Sequence, residues 1–86
     1  MIKIKIFKST WCQPCKQLAP IIEQLKPEYP EVIFQTIDVD EDPEIAKNYA
    51  IKSVPTIVIE QYDEIKQQIV GLQPKQTYIN ILNSLI

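Results

Sequence analysis

The sequence contains no histidine and only two cysteines among its 86 residues. A structural zinc ion normally needs four protein ligands and a catalytic zinc ion needs three, drawn largely from cysteine and histidine. The chain therefore provides no zinc site unless carboxylates or a second chain contribute ligands. We expect no metal ion, although half of an intermolecular metal site stays open as an alternative.

Long apolar runs and an excess of basic residues are also absent. No stretch approaches the roughly 20 apolar residues of a transmembrane helix. Residues 1–7 lack both the continuous apolar segment and the small-residue cleavage site of a signal peptide. The net charge is −2, with lysines interleaved among acids, so no basic stripe is available for phosphates. We therefore expect a soluble cytoplasmic protein that binds neither membranes nor nucleic acid.

Glycine occurs once, and with seven prolines it separates the periodic segments of the chain. No linker or repeat interrupts these segments, and a chain of this length encloses a single core, so residues 1–86 are expected to form one domain. The patterns predict seven elements in the order βαβαββα. The predicted strands are 2–7, 32–39, 56–60 and 65–70, and the predicted helices are about 13–26, 43–50 and a last helix opening at Pro74.

Periodicity carries these predictions. Isoleucines alternate with lysines over residues 2–7, which is the period-two pattern of a strand. Apolar residues between Leu18 and Leu25 recur at i, i+3, i+4 and i+7, as on one face of a helix. Pro20 should kink this helix, and Pro27 should help to end it.

The order of the elements predicts an α/β fold with a four-stranded mixed sheet and helices on both faces. The first two strands should be parallel because a helix joins them, and the last two should form an antiparallel hairpin because their connection is short. Lys3 and Lys5 fit a central strand poorly. We expect the short second helix to leave that end of the sheet uncovered.

Both cysteines lie in one tetrapeptide, Cys12-Gln13-Pro14-Cys15, where the first strand gives way to the first helix. A bond between them closes a four-residue loop and stabilises the fold by only about 2 kcal/mol, whereas a structural disulfide would span more chain. At the helix N-terminus, free N–H groups and the helix dipole stabilise a thiolate, so thiols in this motif have a pKa of roughly 3.5–7.5 against about 8.5 for free cysteine. The arrangement predicts an exposed nucleophile, Cys12, and a resolving thiol, Cys15.

The residues around the pair are predicted to support it. Pro14 has its φ preset for the first helical turn and stiffens the geometry that holds the two sulfurs together. Trp11 is either an apolar rim for substrate or a half-buried core residue, and the sequence leaves both open. Lys16 follows the pair, but a lysine at a solvated helix start contributes little to the charge state of a thiol.

The segment Trp11-Cys12-Gln13-Pro14-Cys15-Lys16 resembles the active site of the thioredoxin family, and the resemblance extends over most of the chain. Residues 49–56 are similar to the segment that carries the family's cis-proline, which implies a cis Val54-Pro55 bond. The resemblance implies a thioredoxin fold and a thiol–disulfide oxidoreductase that reduces protein disulfides and needs no cofactor beyond its own Cys12–Cys15 disulfide. It also implies a monomer, an external reductase (thioredoxin reductase or the glutathione system) and a substrate groove formed by Trp11, Gln13, Val54, Pro55, Gly71 and Leu72.

Three departures from the family pattern stand out. The chain lacks the extra N-terminal strand and helix of full-length members, and Gln13 replaces the usual glycine. The family's buried carboxylate and its lysine partner correspond here to Ile6 and Thr36. Removing both charges together is self-consistent, because losing one would leave the other unpaired. The double absence leaves open how Cys15 is deprotonated, and we expect water or the Cys12 thiolate to serve as the base.

Two other functions stay open at this point. The small size suits a glutaredoxin-like, glutathione-dependent reductase, although Gly71-Leu72-Gln73 lacks the glycine pair and the acidic continuation with which that family holds glutathione. A non-catalytic binding module that uses the same fold to hold a partner protein is the second alternative, because fold alone does not determine function.

Overall fold

A computed structural model describes all 86 residues of the chain. It contains seven elements in the predicted order: β1 (Ile2–Lys8), α1 (Gln13–Glu28), β2 (Ile33–Asp38), α2 (Pro43–Asn48), β3 (Thr56–Gln61), β4 (Glu64–Val70) and α3 (Lys75–Leu85). The strands form one sheet in the order β2-β1-β3-β4. The β1–β2 pair is parallel, and the β1–β3 and β3–β4 pairs are antiparallel. No helix is both long enough and apolar enough to span a membrane.

Two apolar clusters lie on opposite faces of the sheet, so the prediction of helices on both faces is confirmed. The larger cluster has 13 buried residues and joins the isoleucines of β1 to α1 and α3 through side chains such as Leu18 and Leu82. The smaller cluster lies under α2 and consists of Phe7, Ile37, Ala46 and Val58. Because alternate side chains of a strand point to opposite faces, β1 contributes to both clusters.

The first helix is longer than predicted. It continues through Pro20 and includes Pro27 in its last turn, ending at Glu28. The prediction that Pro27 helps to end the helix near Lys26 is therefore wrong by one or two residues. A proline lacks an N–H but still offers its carbonyl, and the Tyr29 N–H closes the final turn by donating to the carbonyls of Leu25 and Lys26 at 3.1 and 3.3 Å.

Lys5 of β1 is covered, so the expectation that the short second helix leaves this end of the sheet uncovered is wrong for this residue. Lys5 Nζ lies 2.9 Å from Glu60 Oε1, and only 17% and 12% of these two side chains remain exposed. Tyr49, the C-cap residue of α2, covers the pair with its ring 4.6 Å from Lys5 Nζ, and its hydroxyl also donates to Glu60 Oε2. The short helix α2 therefore covers the Lys5–Glu60 pair through the aromatic side chain of its C-cap residue, Tyr49.

Three residues other than glycine have positive φ angles, as follows from a chain with a single glycine. Tyr62 and Asp63 have φ angles of 55° and 62° in the two-residue link of the β3–β4 hairpin, and Ala50 has 54° just after α2. Two consecutive positive φ angles are typical of the type I′ turn, in which asparagine or aspartate followed by glycine is preferred. The hairpin predicted from the sequence therefore forms with a turn that its residues do not favour.

Candidate active site

The two cysteines lie at the N-terminus of α1, as predicted, and are joined by a disulfide with their Cα atoms 5.3 Å apart. Cys12 is the N-cap residue, with an extended φ of −92° and ψ of 109°, and Pro14 occupies the first turn. The backbone N–H of Cys15 donates to Cys12 Sγ at 3.2 Å. The sulfur of Cys12 therefore takes the place that a serine or aspartate oxygen takes in an ordinary N-cap.

This position favours negative charge on the sulfur of Cys12. The helix behind it has 16 residues, and its first turn contains no acidic residue that would oppose an anion. The sulfur faces the end of α1 at which backbone N–H groups lack intrahelical partners. A thiolate there accepts a hydrogen bond from the Cys15 N–H, and such a bond favours the charged form of an acceptor.

The expectation of an exposed Cys12 is wrong for the disulfide form. Cys12 is 4% exposed and Cys15 is 8% exposed. The Cys12 N–H donates to the Ser9 carbonyl at 3.4 Å, which ties the loop after β1 to the start of α1. Burial therefore does not distinguish the two cysteines, whereas their positions on the helix do.

Trp11 is 70% exposed, which settles the question that the sequence left open in favour of a surface position next to the disulfide. Its Nε1 donates to Asp40 Oδ2 at 3.1 Å. The Val39 N–H donates to the Lys8 carbonyl at 2.9 Å, so the chain after β2 stays beside the loop that carries Trp11. No local signal in the sequence links Trp11 to Asp40, which lies 29 positions further along the chain.

Two of the predicted groove residues, Pro55 and Gly71, are joined by a hydrogen bond, and Pro55 lies beside the disulfide. The Val54-Pro55 peptide bond is cis, as predicted, and Pro55 lines a cavity together with Cys15. The Gly71 N–H donates to the Pro55 carbonyl at 2.9 Å, and Gly71 has a φ of 89°, a conformation that glycine adopts without a steric penalty. Leu72 beside it is 40% exposed.

Gln13 and Lys16 are exposed on the first turn of α1, and neither side chain makes a hydrogen bond to the Pro55 segment. By contrast, the backbone N–H and C=O of half-buried Val54 form no backbone hydrogen bond within the chain. The groove therefore offers main-chain groups beside an apolar surface.

The positions of the missing charge pair lie beside the disulfide. Ile6 and Thr36 are direct partners in the β1–β2 register. Both line a cavity of about 360 Å³ that Cys15 and Pro55 also line. Ser9 lines the same cavity and is 2% exposed, and its hydroxyl has no hydrogen-bond partner.

Comparisons with known proteins agree with this geometry. A family model described as Thioredoxin matches residues 3–84. A thioredoxin of Staphylococcus epidermidis is 36% identical over 83 residues, covering 95% of this chain and 80% of the relative. A thioredoxin of Listeria monocytogenes is 33% identical over 81 residues, covering 93% of this chain and 79% of the relative.

Solved structures give the same picture. Mitochondrial thioredoxin 3 of Saccharomyces cerevisiae, in its oxidised form, superposes with a TM-score of 0.87 at 34% identity, covering 95% of this chain and 77% of the other. Fasciola hepatica thioredoxin superposes with a TM-score of 0.88 at 30% identity, covering 95% of this chain and 79% of the other. The similarity extends over nearly the whole chain, and the family match over residues 3–84 spans the positions of the cysteine pair.

Proposed function

The chain belongs to the thioredoxin family and is a thiol–disulfide oxidoreductase that reduces protein disulfides, and from this premise we propose that Cys12 is the nucleophile and Cys15 the resolving thiol. The observation that carries the assignment is the 3.2 Å hydrogen bond from the Cys15 N–H to Cys12 Sγ at the N-terminus of α1. The same bond and the helix dipole stabilise a thiolate on Cys12 and not on Cys15.

The reaction has two exchange steps. In the reduced protein, the Cys12 thiolate attacks one sulfur of a substrate disulfide, the substrate S–S bond breaks, and the second substrate sulfur leaves as a thiolate that takes up a proton. Cys15 then loses its proton and attacks Cys12 Sγ, which forms the Cys12–Cys15 disulfide and releases the first substrate sulfur. Two electrons pass from the protein to the substrate, and the first substrate sulfur also leaves as a thiolate. Of the two protons that the substrate thiolates take up from solvent, one is replaced by the proton that Cys15 loses and the other by the proton that Cys12 released on forming its thiolate.

The groove formed by Trp11, Gln13, Val54, Pro55, Gly71 and Leu72 is proposed to hold the substrate as an extended segment. The unpaired backbone groups of Val54 support this role because an extended peptide binds mainly through main-chain hydrogen bonds. The exposed ring of Trp11 and the exposed side chain of Leu72 offer apolar contacts at either side. Pro14 and Lys16 are assigned to the support of the active-site turn.

An external reductase, either a thioredoxin reductase or the glutathione system, is proposed to return the Cys12–Cys15 disulfide to the dithiol. The protein then acts as an electron carrier in the redox homeostasis of the cytoplasm, as a monomer and as one domain over residues 1–86. Supporting this role, the Cys12–Cys15 disulfide contains both cysteines of the chain, so no other thiol competes with it.

Reduction of insulin disulfides by dithiothreitol tests the assignment. The wild type should accelerate the reaction, and Cys12→Ser should abolish the acceleration. Cys15→Ser is the matched control, because it keeps the nucleophile but should accumulate a mixed disulfide with insulin that Cys12→Ser cannot form. Equal rates for the wild type and Cys12→Ser would exclude the catalytic role, and a mixed disulfide on Cys15 instead of Cys12 would reverse the two assignments.

A further inference from the structure

Ser9 presents a buried hydroxyl that the fold leaves without a partner. The residue is 2% exposed, and its Oγ makes no hydrogen bond. A buried polar group without a partner costs about 1–3 kcal/mol, and native proteins leave few of them. Its backbone carbonyl accepts the Cys12 N–H at 3.4 Å, so the hydroxyl is fixed close to the active-site turn.

The cavity that Ser9 lines has the properties of a water site. Its volume of about 360 Å³ exceeds by far the roughly 30 Å³ that one water molecule occupies in the liquid. Three residues with hydroxyl side chains, Ser9, Thr10 and Thr36, line the cavity together with Cys15. Thr36 is exposed on the edge strand β2, so this side of the cavity opens to solvent.

The charged groups around the cavity are otherwise engaged or solvated. Lys8 of β1 lies 3.8 Å from Asp38 of β2. Glu23, the carboxylate in the wall, is 2.7 Å from Lys26 in an ion pair on the exposed side of α1. Lys16 is exposed at the start of the same helix. No carboxylate occupies the position of Ile6, so the proton of Cys15 has no buried acid beside it to receive it.

We propose that a water molecule held by the Ser9 hydroxyl accepts the Cys15 proton when the mixed disulfide is resolved. This rests on the proposed roles of Cys12 and Cys15. The S–H bond of Cys15 breaks and its proton passes through this water to solvent at Thr36. The Cys15 sulfur then bonds to Cys12 Sγ, the bond from Cys12 Sγ to the substrate sulfur breaks, and the departing substrate thiolate takes a proton from solvent.

Ser9 is a positioning residue in this scheme. A serine hydroxyl both donates and accepts a hydrogen bond, so it can hold a water molecule between itself and a sulfur. It does not keep the proton. A water molecule that donates to the thiolate of Cys15 favours the charged form, and loss of its anchor therefore raises the pH at which Cys15 becomes reactive.

The test follows the reaction of the reduced full-length protein with a chromogenic aromatic disulfide in a stopped-flow instrument. Attack by Cys12 releases the first coloured thiolate, and resolution by Cys15 releases the second. With Ser9→Ala, the second phase should slow about tenfold at neutral pH and its pH inflection should move upward, while the first phase is unchanged. This is below the 10²–10⁴-fold range of a full general base because water can still enter the cavity.

Three further variants complete the comparison. Ser9→Thr keeps the hydroxyl and should retain most of the wild-type rate. Ser84→Ala is the matched control, because it removes an exposed hydroxyl on α3 that bonds only the Ile81 carbonyl, and both phases should be unchanged. Glu23→Gln tests the carboxylate in the cavity wall and should leave the second phase unchanged as well.

The proposal is overturned if Ser9→Ala resolves the mixed disulfide at the wild-type rate with the wild-type pH inflection, or if Glu23→Gln causes the loss instead. If Ser9→Ala fails to fold, Ser9→Val decides, because valine has the shape of threonine without the hydroxyl. Its second phase should be slower than that of Ser9→Thr, and equal rates would overturn the proposal. A different result would show that the roles of the cysteines are assigned wrongly. In that case Cys12→Ser would still release the first coloured thiolate at the wild-type rate.

Discussion

Replacing Lys5 with methionine tests the ion pair beneath Tyr49 that explains the lysine in a central strand. Methionine keeps an apolar stem of similar length and removes the charge that lies 2.9 Å from Glu60 Oε1. Breaking a buried pair costs about 3–5 kcal/mol, whereas an exposed pair is worth about 0–1 kcal/mol. Because the Tyr49 hydroxyl still donates to Glu60, we expect a loss of about 2–3 kcal/mol.

The pH dependence of this loss distinguishes the pair from simple packing. Burial disfavours the Glu60 carboxylate, but hydrogen bonds from Lys5 and Tyr49 outweigh it and lower the pKa of Glu60. Because the pKa is lowered, the pair stabilises the fold at pH values above the ordinary carboxyl pKa of about 4.3. This contribution disappears as the pH falls through the pKa that Glu60 has in the folded protein. The difference between the wild type and Lys5→Met should therefore be large at pH 7 and shrink in acid.

Alkaline pH should reduce the difference too. Burial disfavours the ammonium group of Lys5, but hydrogen bonds with Tyr49 and Glu60 prevail and raise its pKa. Because this pKa is raised, the pair contributes its full stabilisation below about pH 10.4, the ordinary lysine pKa. The stabilisation is lost as the pH rises through the pKa that Lys5 has in the folded protein. The ion pair therefore stabilises the fold most between the carboxyl pKa of about 4.3 and the lysine pKa of about 10.4.

Urea unfolding at neutral and acidic pH measures these differences, with Lys3→Met as the matched control. Lys3 lies two residues away on β1, opposite Glu60 in the β1–β3 register, but forms no ion pair. Its replacement should change the free energy of unfolding by less than about 0.5 kcal/mol. The reasoning fails if Lys5→Met and Lys3→Met cost the same, or if the cost of Lys5→Met is unchanged in acid.

Three further changes have defined outcomes. Tyr78 is fully buried with an unpartnered hydroxyl, so Tyr78→Phe should raise the free energy of unfolding by about 1 kcal/mol. Burial raises the pKa of Tyr78 to about 12, so the difference in stability between the variant and the wild type should widen as the pH rises above 10. A variant that is less stable than the wild type in urea unfolding would contradict this. Asp63→Gly relieves a φ of 62° and should add about 0.5–1 kcal/mol in thermal unfolding, whereas an unchanged midpoint would mean that the turn stores no strain. Ile6→Asp places a carboxylate at a 6% exposed position and should lower the free energy of unfolding by about 2–4 kcal/mol. It should not greatly increase the rate of insulin reduction at neutral pH. A large increase in that rate at unchanged stability would mean that the native site lacks a sufficient base.

The fold was predictable where the pattern of the sequence is local. The spacing of Leu18, Ile22 and Leu25 predicted the buried face of α1, and the alternation of β1 predicted a strand. The end of α1 was less predictable, because Pro27 is compatible with the last turn of a helix as well as with its end. The cis bond before Pro55 followed from the resemblance and not from local chemistry.

Contacts between distant residues were not predictable from the sequence. Lys5 and Glu60 lie 55 positions apart and meet only because β3 pairs with β1, so the lysine looked misplaced in a buried strand. Trp11 and Asp40 meet for a similar reason, through the pairing of β1 with β2. Ser9 gave no signal at all, since a serine in a turn is ordinary until the cavity beside it is visible.

The pH dependence of Cys12 alkylation measures whether the N-terminus of α1 stabilises a thiolate on Cys12. The reduced protein is treated with iodoacetamide, and modification of each cysteine is followed by mass spectrometry beside an unstructured peptide that carries Cys-Gln-Pro-Cys. The account predicts that Cys12 reacts before Cys15 and that its reaction reaches half-maximum well below the pH at which the peptide thiols do. Reaction of Cys12 at the same pH and rate as the peptide would contradict it.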